Sequence, residues 1–247
     1  MRDEVVLNGI VLATGLVGEY DRRLVILTKE RGKITAFAKG VRKTTNQLIS
    51  KCQIFVMGEF TLYEGRNAYT LKSVNVKEYF HELTFDMDKY CYGSYFCEMM
   101  AYFTHEGDRA TDYLNLLFVS LNALKKGLVP VPLVRLVYEI KIMDVFGQGI
   151  QSFGCPICGN DKLSNVFDAR SGGVLCKNCV DKGVHPVHIS EQALYTLQYI
   201  NGAHLGNLYN FKVSDGIIRE LTDIYREFAD IYIDKKFNSL QIINSLT

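Results

Sequence analysis

Three observations predict an α+β multidomain protein. The first 80 residues fall into short apolar and β-branched runs separated by polar, glycine-containing breaks. From Thr84 onward apolar residues recur every three or four positions, the period of helices packed on one face. Between two of those helical stretches, residues 148–189 lose the pattern and carry four cysteines in two close pairs. Of 247 residues, 48% are hydrophobic and 22% charged, which excludes disordered and fibrous classes and leaves material for a real core.

The N-terminal runs read as strands at Val5–Val17, Leu24–Thr28, Lys33–Lys39, Gln53–Tyr63 and Asn67–Val76. The breaks at 18–22, 30–32, 40–51 and 64–66 are turn-forming. Five strands with such turns fit a small β-barrel of the oligonucleotide/oligosaccharide-binding (OB) type. A five-stranded SH3-like barrel has the same periodicity and stands as the alternative. On the third strand Ile34, Ala36 and Ala38 share one face and suit a tight interior. Thr35, Phe37 and Lys39 share the other. The first apolar run, Val5 to Gly18, is interrupted by Asn8 and Thr14 and is shorter than a membrane span. Asp3 and Glu4 spoil it as a signal peptide, so a soluble cytoplasmic protein without membrane attachment is expected.

Helices are expected at Asp86–His105, Thr111–Lys126, Val131–Phe146, Ser190–Asn201 and Asp215–Phe237. Thr111 and Asp112 favour an N-terminus, Lys125 and Lys126 match the dipole at the C-terminus, and Gly127 follows. Pro132 opens the next helix and Gly147 closes it. In the last, Ile217, Leu221, Ile224, Phe228 and Tyr232 mark a buried face. The expected organisation is a barrel over 1–80 and a helical domain over 81–247, interrupted at 148–189.

That interruption contains Cys155-Pro-Ile-Cys158 and Cys176-Lys-Asn-Cys179, two C-x-x-C pairs 17 residues apart. This is the spacing of a four-thiolate metal site. Four soft thiolates in a tetrahedron suit one zinc ion and leave no position for a reacting water, so the ion is expected to be structural. The segment has few large apolar side chains, and zinc would supply the stability its own core cannot. The alternatives are disulfides, which a cytosolic setting disfavours, and a rubredoxin-like iron site. Cys52, Cys91 and Cys97 share no ligand spacing and read as ordinary buried thiols. His185 and His188 flank the segment without completing a ligand set.

The near-zero net charge of +1 hides an asymmetry: residues 1–80 carry 13 Lys+Arg against 8 Asp+Glu, a net of +5. A basic segment beside a mildly acidic remainder points to a polyanion partner for the barrel alone. Between Lys33 and Lys51 there is no acid, and Lys39, Arg42 and Lys43 crowd the end of the third strand. Phe37 beside these cations offers a stacking surface for bases and charge for phosphates, with Arg22, Arg23 and Lys51 adding to the supply. The opposing reading packs Phe37 against a neighbouring element and scatters the charges. No phosphate-binding glycine loop, nucleophile elbow or zinc-deaminase pattern occurs, so the residues make no case for an enzyme. A zinc-bearing protein–protein scaffold, with the barrel as docking surface, is the competing class.

The order of features resembles the bacterial RecO family of recombination mediators in DNA repair. The resemblance rests on Gly18-Glu-Tyr-Asp21, on Ala38-Lys-Gly-Val-Arg-Lys43 and on Tyr79-Phe-His-Glu-Leu-Thr84. It continues through Tyr138-Glu-Ile-Lys-Ile-Met143 and the paired cysteines with Gly172-Gly173 before the second pair. It implies an OB-fold barrel, a helical domain and a zinc finger. It also implies binding of single- and double-stranded DNA and annealing of complementary strands. The implied partners are RecR and the single-strand-DNA-binding protein, so that RecA loads on coated DNA in a nucleoid-associated setting. On this chain the resemblance assigns DNA contact to Lys39, Arg42 and Lys43, and metal ligation to the four cysteines. Arg135 is its nearest match for docking the acidic, hydrophobic tail of the single-strand-DNA-binding protein.

Overall fold

The computed structural model describes residues 3–43 and 45–246. Two compact units divide the described chain, with boundaries at Lys125/Lys126 and Lys236/Phe237. The change of sequence pattern at residue 80 therefore lies inside the first unit, and the C-terminal residues return to it.

The first unit is built on a closed barrel of β1 (Glu4–Val17), β2 (Asp21–Thr28), β3 (Gly32–Ala38), β4 (Met57–Tyr63) and β5 (Tyr69–Glu78). The strand order is β1-β2-β3-β5-β4, with β4 closing antiparallel onto β1. Strand β3 skips β4 and pairs in parallel with β5 at Ala36↔Tyr69 and Phe37↔Thr70. That crossing is the Greek-key closure of the OB type, and it decides against a simple meander. The interior is filled from alternate positions: Leu24 and Ile26 of β2, Ile34, Ala36 and Ala38 of β3, Phe60 and Leu62 of β4, Leu71 and Val74 of β5. Small alanines on β3 and the large Phe60 share this fully buried interior.

Three boundaries differ from expectation. Strand β2 starts at Asp21, because the hairpin turn takes only Gly18–Tyr20. Strand β4 starts at Met57, not Gln53, because Phe55 adopts φ 72° and turns the chain. The Phe55 amide donates to the Val11 carbonyl at 3.0 Å, and the Val11 amide donates to the Val56 carbonyl at 2.9 Å. Strand β5 is displaced two residues, to Tyr69–Glu78.

Helices α1 (His81–Thr84), α2 (Met87–Phe103) and α3 (Thr111–Lys126) follow the barrel; the one-turn α1 carries too few residues for a visible period. Asp86 caps α2 by accepting from the Lys89 amide at 3.1 Å. The fully buried Phe55 lies against α2 where Gly93 leaves room: a Cβ there would stand 3.0 Å from the ring. The helix expected over Asp215–Phe237 ends at Tyr232, and a separate α7 (Asn238–Leu246) follows. Glu98 of α2 accepts from the amides of Asn238 at 3.2 Å and Ser239 at 3.0 Å, and from the Ser239 hydroxyl. Phe237 packs edge-on against Tyr95 and Tyr102. These contacts draw the C-terminal residues into the first unit and end the preceding helix.

The second unit holds α4 (Val131–Phe146), α5 (Glu191–Gly202), α6 (Asp215–Tyr232) and the inserted finger. Helix α4 ends at Gly147 with φ 88°, as its sequence predicts. Ser190 and Ser214 cap α5 and α6 by accepting from the amides of Ala193 and Ile217. The buried face of α6 is Ile218, Leu221, Ile224, Tyr225 and Phe228, so Ile217 and Tyr232 lie at its margins instead of within it. The finger consists of β6 (Leu163–Asp168), β7 (Gly173–Cys176) and β8 (Val187–His188), ordered β7-β6-β8, with a 3-10 turn at Lys177–Lys182. No helix among the described residues is long and apolar enough to cross a membrane.

Candidate metal centre and nucleic-acid interface

The finger is built to bring two tight turns together. In the first, the Gly159 amide donates to the Cys155 carbonyl at 2.8 Å and the Cys155 amide to the Asn160 carbonyl at 2.9 Å. The turn needs φ 75° at Gly159, which a side chain would disfavour. The second pair leaves the end of β7 and enters the 3-10 turn. The result places the sulfurs of Cys155, Cys158, Cys176 and Cys179 within 4.8 Å of one another, and those of Cys158 and Cys176 at 3.6 Å. A tetrahedral ion with metal–sulfur bonds of about 2.3 Å requires sulfur separations of about 3.8 Å. The cluster fits one such ion, and all four predicted ligands are in it.

The sulfur environment is poised for a cation. Burial pushes the Cys155 thiol up, but hydrogen bonds from the backbone of Cys176, Ile157 and Cys158 outweigh it and bring it to about 6. Burial and the neighbouring cysteines push Cys179 up to about 12. Four thiols sharing one point cannot all ionise unless a positive ion joins them. The apolar support is slight: Leu175 with Leu163 and Val180 packs on the cysteines. Elsewhere in the finger the fully buried Asp168 carboxylate accepts from the amides of Ser171 at 2.7 Å, His185 at 2.8 Å and Val184 at 3.2 Å. His185 and His188 are exposed and stand outside the cluster, and Cys52, Cys91 and Cys97 are buried thiols away from it.

On the barrel, the β1–β2 hairpin and the turn after β3 are laced through main-chain groups. The Arg42 amide donates to the Tyr20 carbonyl at 2.9 Å, and its guanidinium to the Glu19 carbonyl at 3.0 Å. The Asp21 carboxylate accepts from the Gly40 amide at 2.7 Å. Lys43 places its ammonium 5.5 Å from the centre of the Tyr20 ring. Lys39, Arg42 and Lys43 are exposed here. On the outer face of the sheet Arg23 pairs across to Phe37, and Gly15 of β1 stands on the other side of Arg23 with open space where a side chain would be. Phe37 is half-buried on this outer face, while Ile34, Ala36 and Ala38 are in the core. Cations, a ring and a smooth strip thus share one end of the barrel.

Two of the predicted cations are placed differently. Arg22 is half-buried and donates to the Cys52 carbonyl at 2.8 Å. Lys51 is half-buried and donates to the Val74 carbonyl at 3.1 Å. Both act as struts that tie the long β3–β4 connection to the barrel. Tyr20, which sequence reasoning passed over as part of a break, belongs with the exposed cations. Its signal was available: an aromatic residue at the tip of a hairpin, between Gly18 and Asp21, in a basic segment. Arg135 of α4 is half-buried, and its Nε donates at 2.9 Å to Glu139, which is 1% exposed. Burial raises the nearby Tyr225 phenol, Glu139 adding to the effect and Arg135 opposing it.

A family model described as the recombination protein O N terminal matches residues 1–80, and one described as its C terminal matches residues 84–241. Among curated relatives, DNA repair protein RecO of Acetivibrio thermocellus is 30% identical over 241 residues, covering 97% of this chain and 96% of its own. The protein of the same name from Alkaliphilus metalliredigens is 29% identical, covering 97% and 98%. That of Listeria innocua is 28% identical, covering 93% and 91%. Barrel, helices, four-cysteine finger and two matching family models run through the chain in one order, and the chain belongs to the RecO family.

Proposed function

We propose that this protein is a non-enzymatic DNA-binding mediator of recombinational repair. It binds single- and double-stranded DNA through the hairpin end of the barrel and anneals complementary strands. With RecR it helps load RecA on DNA coated by the single-strand-DNA-binding protein, whose acidic tail docks on the helical unit near Arg135. The observation that carries the reading is the lacing of the β1–β2 hairpin to the Gly40–Lys43 turn, which holds Arg42 and Lys43 outward beside Tyr20. Arg23, Phe37 and Lys39 extend that surface; Arg22 and Lys51 hold the connection that shapes it.

Annealing on such a surface needs no bond chemistry. Fixed cations neutralise phosphates on two strands and lower their repulsion, while a half-buried ring stacks bases transiently and leaves their pairing edges free. In the finger Cys155, Cys158, Cys176 and Cys179 would hold one zinc ion, whose charge would let all four thiols ionise and whose role would be structural. The direct test is DNA affinity against salt for the wild type and for Arg42→Glu/Lys43→Glu. Losing two phosphate contacts lowers the slope of log K on log salt by about 1.5. An unchanged slope removes these residues from the interface.

A further inference from the structure

We propose that Tyr20 discriminates single-stranded from duplex DNA, by stacking on unpaired bases that the flanking cations Arg42 and Lys43 deliver to it. The inference rests on the DNA-binding reading above. Three features of the hairpin lead to it. Tyr20 is 44% exposed at the tip of a hairpin, with Lys43 over its ring at 5.5 Å. Main-chain carbonyls of Tyr20 and Glu19 tie the hairpin to the neighbouring turn, and the Tyr20 side chain adds the Lys43 ammonium over its ring and a hydrogen bond between its hydroxyl and Glu19. Finally, Phe37, the other aromatic of this surface, lies half-buried in the sheet, whereas Tyr20 projects from a turn.

A surface of cations alone reads phosphates and treats both DNA forms by their charge density. A projecting ring adds an interaction that only unpaired bases accept without cost. A duplex must be unstacked before an aromatic side chain enters it, and each step costs a few kcal/mol. An unpaired base presents its face freely, and a phosphate on the same strand remains in reach of Lys43 or Arg42. The sequence offers a clean reporter, since the chain contains no tryptophan.

The test compares Tyr20→Ala and Tyr20→Phe with the wild type, using a dT oligonucleotide and a blunt duplex of equal length. Tyr20→Ala is expected to weaken dT binding about 5- to 150-fold, the range of one lost base–aromatic stack, and to leave duplex binding unchanged. Tyr20→Phe keeps both affinities, and the emission of Tyr20→Trp is quenched by dT but not by duplex. An equal loss of both DNA forms in Tyr20→Ala, or no loss of either, overturns the inference and leaves the DNA-binding reading intact. Failure of the wild type to bind either DNA sinks that reading, and this inference with it.

Discussion

Arg22 and Arg42 illustrate how residues of one type, twenty positions apart in a basic segment, come to different work. Arg42 is exposed, and its guanidinium donates to the Glu19 carbonyl at the surface, a bond that water replaces when a ligand takes the charge. Arg22 is half-buried and bound to the Cys52 carbonyl. Arg22→Ala is therefore expected to cost about 1–3 kcal/mol of stability, because it strips a partner from a buried carbonyl. Arg42→Ala leaves the denaturation midpoint in place and weakens DNA affinity; urea melts of the two variants separate the roles. Sequence alone could not make this division, since both are arginines in the same charge excess and the Cys52 carbonyl is 30 residues from Arg22. Asp168 carries a second prediction at this scale. Burial raises its pKa, but the Ser171 side chain and the amides of His185, Ser171 and Val184 outweigh it and hold the carboxyl below the ordinary aspartate value. Its contribution is thus complete above pH of about 3.9 and is lost as pH falls through its lower folded value. The amide resonances of His185 and Val184 should titrate with a midpoint below that value; a midpoint above it contradicts the assignment.

At the scale of elements, what was legible is what the chain writes locally. Helix α3 spans the expected Thr111–Lys126 and α4 the expected Val131–Phe146, because proline, glycine and dipole-matched charges mark their ends within one turn. The clustering of the four cysteines was legible for the same reason, two short motifs at metal spacing. The end of α6 was not, since Ile233–Phe237 contains no glycine or proline and Glu98, which receives α7, lies 140 residues from Asn238. Strand β4 was misplaced because nothing in the identity of Phe55 announces a positive φ. These non-local features are testable. Glu98→Ala removes the acceptor at the start of α7 and is expected to cost about 0.5–2 kcal/mol, with faster hydrogen exchange in α7. Phe55→Ala leaves a cavity between barrel and α2 and is expected to cost about 3–5 kcal/mol. A thermal midpoint unmoved by the second change contradicts the packing described for Gly93.

For the whole molecule, the net charge of +1 conceals a basic barrel joined to a mildly acidic remainder, and that distribution agrees with the exposed cations at the hairpin end. The OB topology, with β3 beside β5, was one of two barrels the pattern allowed, and only the parallel pairing at Ala36↔Tyr69 separates them. The apolar support of the finger is a handful of residues around Leu175, so an ion held by the four cysteines would carry much of its stability and chelation should unfold it. A chelator is expected to abolish protection of finger amides while the barrel amides stay protected, and equal loss in both contradicts a structural, local role for the ion. In the proposed function the laced hairpin end of the barrel anneals DNA by charge neutralisation. A strand-annealing assay on the purified, zinc-quantified protein across a salt series tests it most directly. Annealing is expected to be accelerated, to fall steeply with salt and to be largely lost in Arg42→Glu/Lys43→Glu at unchanged zinc content; annealing indifferent to both salt and the charge reversal rules this role out.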